Sequence, residues 1–377
     1  MTRQMKIVFF ANTAWYLYNF RKNLISAIMR SGHEVYAIAP FDPYVEKLAA
    51  LGPTWHNVSL HQTRKNPVME LRVLWELWLL FRTIRPDLVL TFTVKCNLYT
   101  GLLKKRCLFS QVANISGVGE IFDRDNLSKR LSYFLYRHSL QTAQKVFFQN
   151  NEDLRTFLEQ HILPEDICER LPGSGVDLSV FTPHVSQRKR GKTRIFLMSG
   201  RIVARKGYEL FLQAAQAIRN AWGPESEFWI LGIQDTSRKE SGKLFEKIRS
   251  FHTDNIVRLL PPTDDVVSII HQADVMVLPS YYHEGVPRSL LEAMACGKPI
   301  ITTNWKGCKD TVEHGVNGLL IEKKSLAALE QAIRFFIQAP DSTLLQMGRA
   351  SRRKAEQEFN ETIIIEKYLK EIYAVRP

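Results

Sequence analysis

Residues 6–40 read KIVFFANTAWYLYNFRKNLISAIMRSGHEVYAIAP, and this stretch decides the fold class. It opens with a short apolar run, Lys6 to Ala11, which is rich in residues that favour strands. Apolar residues then recur at helical spacing from Phe20 to Ser31, Gly32 ends the helix, and Glu34 to Pro40 begins a second strand. A strand, a helix and a strand in this order predict a βαβ unit with parallel strands.

The same alternation continues along a chain of 377 residues, more than one hydrophobic core usually organises. Further strands are predicted at 88–93, 112–115, 145–149, 195–199, 228–231, 257–259, 275–278 and 299–302. Helices are predicted at 43–51, 67–84, 207–220, 241–251, 264–272, 287–296, 325–338 and along 341–373. Strands separated by helices predict an α/β fold with parallel, doubly wound sheets.

Turn formers and polar residues are concentrated in residues 171–192, which therefore look like a linker between two domains. We expect a Rossmann-like domain over 1–180 and a second over 181–356, with the helix at about 357–377 packing back on the first.

Composition excludes several classes of protein. No run of about 18 apolar residues is present and the chain does not open with a signal-peptide core, so we expect a cytoplasmic protein. The cysteines are odd in number and form no C-x-x-C pair, which fits structural thiols in a reducing compartment. These are Cys96, Cys107, Cys168, Cys296 and Cys308.

The net charge of +13 is unevenly distributed. Residues 1–150 contain 20 Lys and Arg against 9 Asp and Glu, so almost all of the excess lies in the first half. This asymmetry predicts an anionic partner for the first domain, either an acidic membrane surface or a nucleic acid. A basic surface that only maintains solubility is the alternative.

The segment 279–299 reads PSYYHEGVPRSLLEAMACGKP and predicts an anion site. If Pro287 is the first helical residue, the N–H groups of Arg288, Ser289 and Leu290 remain available at the positive end of the helix. Gly285 lets a ligand approach the backbone closely. Two carboxylates, Glu284 before the helix and Glu292 inside it, would bracket the anion and accept hydrogen bonds from sugar hydroxyls.

A second segment, 196–208, reads FLMSGRIVARKGY and places Arg201, Arg205 and Lys206 on the turn after a strand. Cations at the carboxyl end of a strand lie where open α/β sheets bind their ligands. Arginine can grip a phosphate with two hydrogen bonds while lysine acts as a point charge, so the pair suits a diphosphate leaving group.

Three motifs in this order resemble the retaining glycosyltransferases of family 4, which have the GT-B fold. They are Pro172–Asp177 with Phe181, the Ser199-Gly-Arg201 run with Lys206-Gly207, and the E-x7-E element from Glu284 to Glu292. The resemblance implies that Arg201 and Lys206 hold the donor diphosphate, Glu292 the ribose hydroxyls and Glu284 the transferred sugar. It also implies a cleft between the domains and an enzyme without a metal or another cofactor.

The full set of donor residues implied by this resemblance is Gly200, Arg201, Lys206, Gly285, Val286, Pro287, Arg288, Ser289 and Glu292, and the catalytic set is Glu284, Arg201 and Lys206. The first half is similar to capsule and O-antigen enzymes that extend undecaprenyl-linked sugars, on the basis of residues 18–22, 86–99 and 114–119 with Phe122. It implies acceptor-side roles for Trp15, Tyr16, Arg21, Lys95, Ser116 and Gly117.

The same resemblance favours an N-acetylhexosamine carried by uridine diphosphate, with hexoses and a guanosine donor left open. Two departures from the family pattern concern the acceptor side. The loop Asn12–Tyr16 lacks the glycine pair of many members, and Ser116-Gly117 stands where many have a histidine.

Other readings of single motifs remain. Asp123-Arg-Asp125 has the D-x-D pattern of a metal site, but it follows Phe122 in a polar stretch and we do not expect it to bind a metal. His283, beside Glu284, is expected to line the site rather than act as a base. The paired glutamates also fit a glycoside hydrolase, the main enzymatic alternative. A basic nucleic-acid-binding protein would need a recognition motif that the sequence lacks, and an epimerase would need G-x-G-x-x-G after the first strand.

Two segments mix aromatic and basic residues and bear on membrane contact. We expect most apolar residues of 71–82 to lie in the core, because they cover so much of the predicted helix. The segment 129–138 is the better interfacial candidate, with Lys129, Arg130 and Arg137 beside Tyr133, Phe134 and Tyr136.

Overall fold

The computed structural model describes residues 3–61, 66–118, 127–184, 193–235 and 239–375. The chain forms two compact units. The first unit comprises Met1–Ser174 and Thr362–Pro377, and the second comprises Gly175–Glu361. The chain therefore enters the second unit six residues before the boundary expected at residue 180, and it returns to the first at Thr362, within the 357–377 segment.

The first unit has a sheet of seven parallel strands in the order β3-β2-β1-β4-β5-β6-β7. Its strands are β1 Lys6–Phe10, β2 Glu34–Ile38, β3 Thr54–His56, β4 Leu88–Phe92, β5 Ser110–Ile115, β6 Lys145–Phe148 and β7 Cys168–Arg170. Its helices are α1 Ala14–Arg30, α2 Val45–Ala49, α3 Pro67–Ile84, α4 Val94–Cys107, α5 Leu127–Leu140 and α6 Asn151–Glu159.

The second unit has a sheet of six parallel strands in the order β10-β9-β8-β11-β12-β13. Its strands are β8 Arg194–Ile202, β9 Ser226–Gln234, β10 Arg258–Leu259, β11 Val275–Leu278, β12 Ile300–Thr303 and β13 Gly318–Ile321. Its helices are α7 Tyr208–Trp222, α8 Lys239–Thr253, α9 Val266–Gln272, α10 Arg288–Ala295, α11 Leu326–Gln338 and α12 Asp341–Glu358.

Side-chain caps set several helix starts. The Thr13 side chain accepts a hydrogen bond from the Tyr16 amide, so α1 begins at Ala14, six residues before the predicted Phe20. Asn66 caps α3 in the same way, and Pro67 follows at a position where a missing N–H has no cost.

The long terminal helix predicted over 341–373 is instead two helices, α12 and α13, the latter spanning Glu361–Tyr373. The break at Phe359–Asn360 places the backbone beside Val176, whose amide donates to the Phe359 carbonyl. Three side chains of α13, those of Ile364, Tyr368 and Ile372, are fully or almost fully buried among core residues of β1, β2 and α1. The first unit therefore completes its core with the end of the chain.

Helix α3 has two apolar faces. Val73, Leu77, Phe81 and Ile84 pack against core residues of β1 and β4. On the other side, large fractions of four side chains are exposed: Val68 73%, Leu71 67%, Trp75 59% and Leu79 39%. Six of the nine apolar residues of 71–82 lie in this core or pack against it, as expected, whereas Leu71, Trp75 and Leu79 are exposed. In α5, by contrast, Phe134 is 62% exposed but Tyr136, expected at an interface, is buried.

Among the described residues, the structure contains no helix whose length and apolar character would let it span a bilayer.

Candidate active site

Two loops of the second unit carry the predicted donor residues. One follows β8 and leads into α7, and the other follows β11 and leads into α10. Strands β8 and β11 are neighbours, and the sheet order reverses between them. This reversal is the position at which open α/β sheets bind ligands beyond the carboxyl ends of their strands.

The centre of the site is an ion pair between the two loops. The Lys206 Nζ lies 3.0 Å from the Glu284 Oε1, and the two side chains are only 12% and 13% exposed. A methyl group added at Gly200 would lie 3.4 Å from the same ammonium, so the backbone of the first loop passes close to it. The structure thus brings together a predicted phosphate ligand and a predicted sugar ligand.

Tyr208 fixes the turn that carries these cations. Its hydroxyl donates to the Gly200 carbonyl over 2.7 Å, and its side chain is completely buried. Burial raises the pKa of this phenol, and the Glu284 carboxylate raises it further, so the hydroxyl keeps its proton for this bond. Gly200 itself has a φ of 145°, which a residue with a side chain rarely adopts.

Strand β8 continues to Ile202, so Arg201 lies inside the strand and not on the turn predicted after it, and its side chain is half exposed. Its Nη1 lies 3.6 Å from an Asp235 carboxylate oxygen at the end of β9. The backbone of Asp235 is itself fixed, because its amide donates a hydrogen bond to the Ser241 hydroxyl over 2.9 Å. Arg201 is therefore held by a carboxylate that the sequence analysis did not single out.

The start of α10 differs slightly from the prediction. Pro287 caps the helix rather than beginning it, and its carbonyl accepts the Leu290 amide over 3.0 Å. Leu290 is therefore not one of the available donors, since its N–H is already bonded inside the first turn. Arg288 and Ser289 remain the residues whose backbone begins the helix at the end of the Glu284–Val286 loop.

Glu292 forms a second ion pair on α10. Its Oε1 accepts a hydrogen bond from the Arg288 Nε over 3.0 Å, one helical turn away, and both side chains are mostly buried. Burial raises the pKa of the Glu292 carboxyl, and the charge of Arg288 and its hydrogen bond reduce that rise without cancelling it.

A third loop, after β12, supports Gly285. A side chain at Gly307 would place its first carbon 1.6 Å from the Gly285 carbonyl oxygen, so only glycine fits. In the same loop Trp305 makes an edge contact with His283, with ring centroids 5.8 Å apart. His283 is 3% exposed and therefore packs behind the Glu284 loop.

The predicted acceptor residues follow β1, β4 and β5, which are adjacent in the sheet of the first unit. Trp15 and Tyr16 are in the first turn of α1, and the Trp15 amide donates to Asp42. Arg21, one turn further, is 1% exposed. Its guanidinium carbon lies 4.5 Å from the centroid of the Phe92 ring, and its Nη2 donates to the Tyr16 hydroxyl. Arg21 thus contacts Tyr16 from below the surface.

Lys95 is in the first turn of α4 and pairs with Glu70 of α3 over 2.6 Å. The residue before this helix, Thr93, has a φ of 78°, a strained conformation for a β-branched side chain that tends to occur at functional sites. Ser116 and Gly117 follow β5 and are partly exposed, and Gly117 has a φ of 122°. The structure places all of these at one edge of the sheet.

Asp123-Arg-Asp125 lies outside the described residues. Within the described ranges, no three His, Cys, Asp or Glu side chains are grouped so that they could hold a metal ion.

Sequence reasoning missed Asp235, Tyr208 and Gly307. Asp235 follows β9, which neighbours β8, so a search at the ends of adjacent strands would have found it. Tyr208 directly follows the Lys206-Gly207 motif, but its hydrogen bond back to Gly200 has no signature in the sequence.

Comparison with protein families gives two matches. The family described as "Glycosyl transferase 4-like" matches residues 6–150, and the family described as "Glycosyl transferases group 1" matches residues 182–354. Together they cover more than four fifths of the chain.

Two curated bacterial enzymes are similar along most of the chain. One, from Campylobacter jejuni, is named N,N'-diacetylbacillosaminyl-diphospho-undecaprenol alpha-1,3-N-acetylgalactosaminyltransferase. It is 26% identical over 381 residues, which cover 97% of this chain and 98% of that protein. The other, from Escherichia coli, is named UDP-Gal:alpha-D-GlcNAc-diphosphoundecaprenol alpha-1,3-galactosyltransferase. It is 26% identical over 328 residues, 81% of this chain and 80% of that protein.

Solved structures share the fold at low identity. Anabaena HepE in complex with UDP and glucose aligns with a TM-score of 0.81 and 17% identity, over 98% of this chain and 99% of that chain. A glycosyltransferase from Rickettsia africae aligns with a TM-score of 0.79 and 18% identity, over 98% of both chains.

Proposed function

Because the chain belongs to the glycosyltransferases of family 4, with the GT-B fold, we propose that it transfers a sugar from a nucleoside diphosphate to a lipid-linked glycan during cell-surface polysaccharide synthesis. The observation that carries this proposal is the Lys206–Glu284 pair between the loops after β8 and β11. It joins a phosphate ligand and a sugar ligand at the ligand-binding edge of the sheet. The glycoside hydrolase and nucleic-acid-binding alternatives are set aside, because both matched families are glycosyltransferases.

Lys206 and Arg201 would neutralise the diphosphate, together with the backbone that begins α10 at Arg288 and Ser289. Negative charge on the β-phosphate grows as the bond to the sugar breaks, so donors fixed in place beforehand stabilise the transition state most. Tyr208 contributes indirectly, because its bond to the Gly200 carbonyl ties the start of α7 to the end of β8, from which Arg201 and Lys206 extend.

The two carboxylates would take different parts of the donor. Glu284 precedes the anion-binding end of α10 and reaches the transferred sugar, whereas Glu292 lies one turn inside the helix and reaches the ribose hydroxyls. Gly285, Val286 and Pro287 form the backbone between them, and the Gly285–Gly307 contact keeps that backbone in place.

The reaction we propose breaks the bond between the anomeric carbon and the β-phosphate oxygen and forms a bond from that carbon to an acceptor hydroxyl. Attack occurs on the face from which the phosphate departs, so the anomeric configuration is retained. A phosphate oxygen takes the acceptor proton, and the products are the glycoside, the nucleoside diphosphate and a proton. No metal takes part in this scheme, since Lys206, Arg201 and the start of α10 supply the compensating charge.

The donor we favour is a uridine diphosphate N-acetylhexosamine and the acceptor an undecaprenyl-diphosphate-linked glycan, with Trp15, Tyr16, Lys95, Ser116 and Gly117 on the acceptor side. Support comes from the names of the two relatives, both of which act on undecaprenol-linked sugars. Arg21 would act through Tyr16, since it is buried beneath it.

The test is a screen of nucleotide sugars for release of nucleoside diphosphate, followed by transfer from the best donor to a lipid-diphosphate-linked sugar. We expect a UDP-N-acetylhexosamine to be used and the product to keep the donor's anomeric configuration by NMR. An inverted product would refute the retaining mechanism. Release of sugar from a glycan without any nucleotide would instead support a hydrolase.

The enzyme would meet its acceptor at the inner, anionic face of the cytoplasmic membrane through the basic first unit. Helices α4 and α5 contain no acidic residue, and Lys105 and Arg130 are exposed on them. Each cation near an anionic leaflet contributes about 1 kcal/mol. Charge reversal at Lys104, Lys105, Lys129 and Arg130 should release the protein from anionic vesicles while donor hydrolysis continues. If the unaltered protein ignores such vesicles at physiological salt, this contact is refuted.

A further inference from the structure

The outer side of α3 carries a row of apolar side chains in contact with solvent. We call it the α3 ridge and define it as Val68, Leu71, Trp75 and Leu79. At 100° per residue these four positions fall within an arc of about 80°, and the row extends about 17 Å along the helix. The buried residues Val73, Leu77 and Phe81 lie on the opposite side, so the ridge is not part of the core.

Large apolar side chains are exposed on the two adjoining helices as well. Helix α3 packs against α4, and α4 packs against α5. The exposed residues there are Leu102, Leu108, Leu127, Leu131 and Phe134. A row of four large apolar side chains that extends about 17 Å along one helix marks a surface that binds a partner.

The charges around the ridge are positive. On α3 the acidic residues Glu70 and Glu76 are paired with Lys95 and Arg72, so these charges cancel, and Arg82 adds an exposed cation. Beyond the ridge, α4 ends in Lys104-Lys105-Arg106 and α5 contributes Arg130. An apolar row bordered by cations, with a tryptophan near its middle, fits the boundary between lipid headgroups and acyl chains.

We propose that the α3 ridge inserts into the headgroup–acyl boundary of an anionic bilayer, so that the enzyme is held by apolar burial in addition to charge. A second copy of the chain fits this surface less well. A symmetric dimer would place the same patch on both sides, so Arg82 and the cations of α4 and α5 in one copy would face those of the other. A bilayer supplies both apolar volume and negative charge.

This proposal goes beyond the charge contact proposed above, and the two predict different responses to salt. Attraction between exposed charges is screened at high ionic strength, whereas burial of apolar side chains is not. We therefore expect part of the vesicle-bound protein to remain bound in about 0.5 M NaCl, where the Debye length is below roughly 8 Å. Complete release at high salt would leave the charge contact intact and overturn insertion.

The decisive variant is Leu71→Gln/Trp75→Gln, measured by co-sedimentation with vesicles containing phosphatidylglycerol. Glutamine is a good helix former, so α3 should persist. We expect at least a tenfold weaker partition into vesicles, with unchanged UDP binding and an unchanged circular dichroism spectrum. The matched control is Phe335→Gln/Leu345→Gln, which alters two exposed apolar residues of the second unit and should bind as the unaltered protein.

Insertion itself is read from tryptophan fluorescence with vesicles of brominated lipids. Trp75→Phe keeps an apolar ring, so vesicle binding should persist while quenching by the bromines falls. Equal quenching in Trp75→Phe and the unaltered protein would overturn the proposal. So would unchanged partition of the glutamine variant, or a concentration-dependent dimer that this variant abolishes.

Discussion

The ligand-binding edges of the two sheets are built from different kinds of contact. In the second unit, three cations each meet a carboxylate within 4 Å: Lys206 with Glu284, Arg288 with Glu292 and Arg201 with Asp235. In the first unit, two cations lie at the corresponding edge: Arg21, among aromatic rings beneath Tyr16, and Lys95, which pairs with Glu70 over 2.6 Å.

This difference indicates how each edge treats its ligand. The paired charges of the second unit are already in place for a dianionic ligand, which would exchange one set of partners for another with little rearrangement. The first unit offers one such pair, Lys95 with Glu70, together with aromatic surface and polar backbone. Such an edge suits the bulky, neutral sugars of the proposed acceptor.

The largest effects on transfer and on UDP binding are expected when the two glutamates of the second unit are replaced. Glu284→Ala should abolish transfer while UDP still binds, because in the proposed arrangement this carboxylate binds the sugar, whereas Lys206, Arg201 and the start of α10 remain to bind the diphosphate. Glu292→Ala should weaken UDP binding by tenfold or more, since hydrogen bonds to a charged group contribute about 1.5–3 kcal/mol. Calorimetric titration of UDP into both variants decides, and equal losses of affinity would contradict the separate roles.

The next largest effect is expected when a cation proposed to bind the diphosphate is removed. Lys206→Ala should lower turnover on the order of 10²-fold with a smaller change in KM, as for other preorganised electrostatic donors. Lys247→Ala is the control, because Lys247 forms an exposed pair with Glu209 in the same unit. Normal turnover in both Lys206→Ala and Arg201→Ala would remove the assignment of the diphosphate site.

A smaller effect tests whether the Asp235 carboxylate competes with the diphosphate for Arg201. Asp235→Asn should tighten UDP binding by up to about fivefold, because Arg201 then has no competing carboxylate and partly exposed pairs contribute up to about 1 kcal/mol. Glu209→Gln serves as the control. Misfolding cannot raise affinity, so a tighter complex is diagnostic. Unchanged or weaker binding would show that Asp235 does not compete for Arg201.

No effect is expected when divalent metal ions are removed. Activity should be the same in EDTA as in magnesium, since Lys206, Arg201 and the start of α10 supply the charge that a metal would otherwise provide. If EDTA abolished activity and manganese or magnesium restored it, the enzyme would depend on a metal, and Asp123 and Asp125 would be the candidate ligands.

How far the sequence predicts the fold depends on where its information lies. The parallel α/β class and the long buried strands follow from local patterns such as 275–278, which is a strand with those bounds. The three-residue strands β3 and β7 were missed, because at that length pairing with a neighbour decides the structure, and no periodicity can be read. The break between α12 and α13 depends on a distant partner, Val176, and likewise has no local signal.

The candidate site divides in the same way. Arg201, Lys206, Glu284 and Glu292 can be read from motifs, because their spacing along the chain fixes their places at two strand ends. Asp235 and the exposure of Trp75 depend on which elements become neighbours and which remain uncovered. An apolar helix can be identified from sequence, but how many of its faces are covered depends on the tertiary structure.

The return of α13 to the first unit has a consequence for the order of events during synthesis. The ribosome delivers residues 1–174 first, yet the core that Ile364, Tyr368 and Ile372 close is completed only by the final helix. The second unit is built from the contiguous residues 175–361 and can close its core without α13, whereas the first unit keeps apolar surface open until α13 is added. A nascent chain stalled before residue 362 should therefore recruit chaperones through its older half.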